Sequence, residues 1–201
     1  MALVKHNNNS ISAVTSMASL STGSMVLISE QTASSSASIS FTTGIDSTYP
    51  IYKFEFIDIH PASQATFTFN MSSDGGSNYN VTKTTTAFRS LHNENDAATD
   101  LSYQDGNDLA QSTGYQPLSD LKNNDNDSCI AGYLHLFNPS STTFVKHYLS
   151  NTNCMQRDSR SVQWHSAGYG NTTNAIDAID FKFSSGNIDA GTIKLYGIKD
   201  S

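Results

Sequence analysis

The chain has 201 residues, 37% hydrophobic and only 14% charged, with a net charge of -7 and a pI near 5.1. That length holds one sandwich or barrel domain with a real core, while the Ser, Thr and Asn that fill the remainder disfavour long helices. The acidic balance argues against phosphate-mediated binding of nucleic acid, and no run approaches the ~20 apolar residues of a membrane helix.

Residues 1–24 are Ser- and Asn-rich with scattered apolar residues. Leu3, Val4, Ile11 and Val14 follow neither a helix nor a strand period, so this stretch reads as an arm that orders against a partner. It has no apolar h-region, so no secretory signal is expected. The Asn-x-Ser/Thr triplets at Asn70, Asn80 and Asn171 then read as chance, not as glycosylation sites.

From residue 25 strand candidates follow at sandwich-like intervals: 25–30, 37–41, 51–60, 65–71, 81–88, 129–137, 143–150, 162–167, 178–184 and 192–198. Tyr52, Phe54 and Phe56 alternate with Lys53, Glu55 and Ile57, and Phe67, Phe69 and Met71 alternate with Thr66, Thr68 and Asn70. Residues 60–63 and 74–78 are turn signals. Residues 91–128 are a long polar stretch, expected to carry short helical turns and to be functional or packed on a neighbour. At the end, Ile179, Phe181 and Phe183 share one face, and Ile193 and Leu195 share another after a Gly-Asn turn. The two runs predict a half-buried antiparallel pair. The absence of βαβ alternation favours an all-β antiparallel sandwich, jelly-roll-like, over residues 25–201.

Chemistry finds little footing. Asp58 and His60 sit two apart before Pro61, which suits a turn contact better than half a metal site. Asp120, Asp125 and Asp127 offer oxygens, but EF-hand spacing fails and no Glu closes the loop, so a solvated loop is the better reading. No Gly-x-Ser-x-Gly elbow is present, Asn153-Cys154-Met155 has no thiol-nucleophile motif, and the few glutamates give no paired carboxylates. No catalytic residue, metal or cofactor is expected. Cys129 and Cys154 read as reduced thiols. Trp164 and Tyr169, with His165 and His147 on or near adjacent strand candidates, are candidates for a sugar-stacking face, although a lone Trp in a sandwich is more often core.

Four segments carry a family resemblance. They are Met1-Ala-Leu-Val-Lys-His-Asn-Asn-Asn-Ser-Ile-Ser-Ala-Val-Thr, Tyr52-Lys-Phe-Glu-Phe-Ile-Asp-Ile-His-Pro-Ala, Phe67-Thr-Phe-Asn-Met-Ser-Ser-Asp-Gly-Gly-Ser-Asn-Tyr and the closing Ser185-Gly-Asn-Ile-Asp-Ala-Gly-Thr-Ile-Lys-Leu-Tyr-Gly-Ile. They resemble small β-sandwich structural proteins of tailed, marine-type phages. The resemblance implies a virion protein, assembled in the host cytoplasm and without catalytic residues. Its size, its arm and its lack of shaft repeats favour a capsid decoration (cement) protein over a tail or fibre protein. The expected partners are the major capsid protein and further copies of the chain, in a trimer or dimer. The arm residues Leu3, Val4, Ile11 and Val14 would make the attachment. In the tail or receptor-binding alternative, Trp164 and Tyr169 would bind carbohydrate.

Overall fold

Twelve strands are present in the computed structural model, which describes residues 24–120, 123–156 and 159–199. They are β1 (Met25–Thr32), β2 (Ile39–Phe41), β3 (Ile51–Pro61), β4 (Phe67–Ser72), β5 (Lys83–Asn93) and β6 (Thr99–Tyr103). After these come β7 (Gln116–Pro117), β8 (Ile130–Phe137), β9 (Lys146–Gln156), β10 (Arg160–Gly170), β11 (Ala178–Phe183) and β12 (Ile188–Ile198). Every pairing is antiparallel. No helix occurs among the described residues.

The strands form an eight-stranded sheet, β1-β12-β3-β8-β9-β10-β5-β6, and a four-stranded sheet, β2-β11-β4-β7. Along the chain the first four strands of the large sheet and the four of the small one change layer at every step except from β4 to β7, an order consistent with a jelly roll. The hairpins β5–β6 and β9–β10 are additions that lengthen the large sheet beyond its partner.

The alternation read from the sequence points into the space between the sheets. Phe54, Phe56, Phe67, Phe69, Ile179, Phe181, Ile193 and Leu195 are each at most 1% exposed. Phe181 lies at the centre. Its ring centroid is 5.2 Å from that of Phe54, 5.3 Å from Phe56, 6.0 Å from Phe67 and 6.4 Å from both Phe41 and Phe69. Aromatic groups so arranged add directional contacts to their burial.

The closing phrase departs from the expected pairing. β11 pairs with β2 and β4, whereas β12 pairs with β1 and β3, so the Gly-Asn turn carries the chain from one sheet to the other. The two apolar faces meet across the core, and periodicity alone does not distinguish that from a hairpin. Gly197 in this phrase has a steric reason: a Cβ there would sit 2.2 Å from the Tyr49 ring.

The long polar stretch also differs from expectation. β5 continues to Asn93, β6 and β7 lie within the stretch, and it contains hydrogen-bonded turns in place of helical ones, Asn107 N donating to Gln104 O and Ser128 N to Asp125 O. Its middle covers the inner face of the added strands, where the small sheet does not reach. The Thr85 N–H donates to Leu109 O, the Thr152 hydroxyl to Leu118 O at 2.5 Å, and the Thr85 hydroxyl to Gln116 Oε1 at 2.5 Å. This second, polar layer satisfies buried Thr85 and Thr152, while buried Ser150 and Ser166 bond within the sheet, to Tyr133 O and the Tyr148 hydroxyl.

Candidate functional site: the outer face of the large sheet

The outward residues of the added strands form a band of aromatic, imidazole and aliphatic groups. Register places Lys53, His135, Leu149, Ala167 and Thr86 in one row across β3, β8, β9, β10 and β5. The next row runs Glu55, Tyr133, Asn151, His165, Phe88 and Tyr103, reaching β6. Side chains directly opposite on neighbouring strands stand side by side, so each row is a continuous surface.

Rings pair along it. Phe88 and His165 stack with centroids 4.6 Å apart and planes 15° from parallel. Tyr133 and His135 stack at 4.9 Å, and Lys53 Nζ lies 5.6 Å from the Tyr133 centroid. Burial holds the His135 imidazolium below its ordinary pKa, and the charge of Lys53 adds to that shift. His135 is therefore neutral at pH 7.

Two shallow depressions lie in the band on either side of Leu149 and Ala167. One, of about 350 Å³, is lined by Phe88, Tyr133, His135, Asn151 and His165. The other, of about 380 Å³, is lined by Phe137, His147 and Tyr169. Phe88 is 42% exposed, Leu149 51%, Tyr103 50% and Leu101 74%. Contiguous exposed apolar groups are less common on a solvated sheet face than scattered ones. Apart from Lys53 and Glu55 on β3, its polar fittings are amides, imidazoles and hydroxyls, groups that can hydrogen-bond a neutral partner.

The sequence candidates fall in different places. Tyr169 lies in the band, 6.0 Å from His147 ring to ring. Trp164 does not: it is 1% exposed on the opposite face of β10, under the polar cover layer, and is unable to stack on a ligand. A two-residue period assigns Trp164 and His165 to opposite faces but leaves open which face is wet. Leu3, Val4, Ile11 and Val14 lie outside the described residues. His165 and His147, named beside Trp164 and Tyr169 in the sequence, do lie in the band, whereas Phe88, Tyr133 and Leu149 were missed; their signal was the outward-alternating large residues on adjacent strands.

Asp58 and His60 are separated by a bulge at Asp58, whose φ is 52°. His60 instead meets the polar loop, its Nε2 3.1 Å from Asp125 O, and its Nδ1 is 3.7 Å from the Asp189 carboxylate. Asp120 pairs with Arg89. No cluster of three or more His, Cys, Asp or Glu able to hold a metal occurs among the described residues. Cys129 is half-buried, with its Sγ 3.6 Å from Asp58 Oδ1, and Cys154 is buried.

No family model, curated protein or solved structure matches this chain.

Proposed function

We propose that this chain is a structural protein of a tailed-phage virion, a capsid decoration protein that acts by binding and carries out no reaction on another molecule. The observation that carries a binding role is the outer band, where Phe88, Leu149, Tyr133 and His165 stay solvent-facing on a sheet anchored by the aromatic core. The phage assignment rests on the four resembling segments, above all the closing phrase.

Its partners in this reading are the major capsid protein and other copies of itself. Open edges at β1 and β6 add a second means of association. A decoration protein that engages only the assembled shell stabilises it by mass action, by about 2.7 kcal/mol per site at a free concentration one hundred times its Kd.

A receptor- or carbohydrate-binding tail protein is the second reading, favoured by Asn151 and the flat Phe88–His165 stack beside one depression. Copy number on purified particles separates the two. A number comparable to that of the major capsid protein supports decoration. A handful per particle supports the tail reading.

A further inference from the structure

A buried amine faces a buried amide on the far side of the molecule. Lys83 is 0% exposed, and its Nζ donates to Val81 O at 2.8 Å and to Asn70 Oδ1 at 2.5 Å. Both partners are neutral oxygens. A buried ammonium held only by neutral acceptors is costly. Burial accordingly lowers the Lys83 pKa to about 7, so a large share of the amine is unprotonated and nucleophilic at neutral pH.

Asn70, also 0% exposed, is fixed at both ends. Its Nδ2 donates to Tyr79 O at 2.6 Å and Thr113 O at 3.0 Å, while its Oδ1 accepts from Met71 N at 2.9 Å as well as from Lys83. The amide therefore presents its carbonyl side to the lysine and cannot turn away without losing these bonds. Such a pair is held close to a reactive arrangement.

We propose that Lys83 and Asn70 join in an intramolecular isopeptide bond, formed by the folded chain itself. The Nζ lone pair adds to Cγ, and the carbonyl π pair moves onto Oδ1, where the Met71 N–H stays as donor. One Nζ proton passes to Nδ2, the Cγ–Nδ2 bond breaks, and ammonia leaves. No oxidant or co-reactant is consumed. Asp180 is the cross-strand partner of Asn70, so it stands on the same outer face of the small sheet, its carboxylate accepting from Ser40 and Tyr115. We assign that proton transfer to it. The product is a neutral secondary amide, which removes the buried charge and closes the turn between β4 and β5 with a covalent link.

The test is tryptic digestion of the denatured full chain followed by mass spectrometry. Between Lys53 and Arg89 the only cleavable residue is Lys83. The linked chain gives residues 54–89 as one peptide, lighter than its sequence by one ammonia. Asn70→Ala restores cleavage after Lys83 whether or not that variant folds. Recovery of residues 54–83 at sequence mass from the wild-type chain overturns the proposal. So does loss of ammonia with cleavage after Lys83 intact, which is a succinimide at Asn70. Asp180→Ala should accumulate the unlinked peptide, and full linkage in that variant removes Asp180 from the step.

Discussion

Phe88 and His165 are direct cross-strand partners on β5 and β10, with rings 4.6 Å apart and nearly parallel on the solvent side of the sheet. The pair costs little to remove from the fold, since Phe88 is 42% exposed. An aromatic pair adds only about 0.5–1.5 kcal/mol beyond its burial. Phe88→Ala combined with Leu149→Ser should leave the thermal midpoint almost unchanged and abolish association with particles or with other copies. Sedimentation with purified particles and light scattering of the free protein read the two effects. Unaltered association by both measurements would remove the band from the binding surface.

The opposite balance holds for Phe181, which is fully buried among five other phenylalanines. Phe181→Ala should destabilise by about 3–5 kcal/mol, the usual cost of a large cavity at a packed aromatic site. Chemical denaturation gives the number directly. A loss below ~1 kcal/mol would mean that the surrounding rings collapse into the space.

These two positions mark what the sequence made legible. Strict alternation located the core residues on β3, β4, β11 and β12, because the buried face of a strand is written at every second residue. The same signal carries no information on which strands pair, so the β11–β12 crossover read as a hairpin. β6 and β7 went unread because Thr99–Tyr103 is exposed at four of five positions and β7 is two residues long. The band was hidden for a related reason. Phe88, Tyr133 and Leu149 look like core residues singly, and only the register of five strands shows them sharing the wet face.

Acid sensitivity should be centred partly on the β4–β5 turn. Asp74 accepts from the Ser72 hydroxyl at 2.7 Å and from Asn78 N and Nδ2 at 2.9 and 2.8 Å, which lowers its pKa from 3.8 to about 2. Asn78 contributes most of that shift, followed by Ser72. A carboxyl whose folded pKa is depressed stabilises the fold above the unfolded value and loses that contribution as pH falls through the folded one. Asp74 therefore helps fully above about pH 4, and its help fades toward pH 2. Asp74→Ala should flatten the midpoint-versus-pH curve over that window. A parallel curve for the variant would exclude the turn as a source of acid sensitivity.

Trp164 is a built-in probe of the polar cover layer. It is the sole tryptophan, 1% exposed, and lies on the strands that residues 104–120 cover. Its emission should be that of a buried indole, and it should be inaccessible to an aqueous quencher. Asp120→Ala removes the ion pair that ties the end of this layer to Arg89, the direct partner of Trp164 on β5. That change should redden the emission before global unfolding begins. A single transition coincident with loss of strand signal would show that the layer and the sandwich unfold as one unit.

Attachment is where the arm and the band make different forecasts. Leu3, Val4, Ile11 and Val14 are the apolar members of a stretch whose pattern suits anchoring on a partner, whereas Phe88 and Leu149 belong to a surface preformed on the sheet. A chain lacking residues 1–24 keeps β1 from Met25 and the whole core, so it should fold with an unchanged strand spectrum. If the arm supplies the shell contact, the truncated protein fails to bind particles while the Phe88→Ala/Leu149→Ser chain still binds, and particles bearing only truncated protein lose DNA on heating as undecorated ones do. If the band supplies it, the outcomes exchange. Contacts made by both would act through a raised effective concentration, so each variant would then weaken binding by orders of magnitude without abolishing it. Titrating both chains on stripped particles decides among the three. Full binding by the double variant that also lacks the arm would exclude both surfaces.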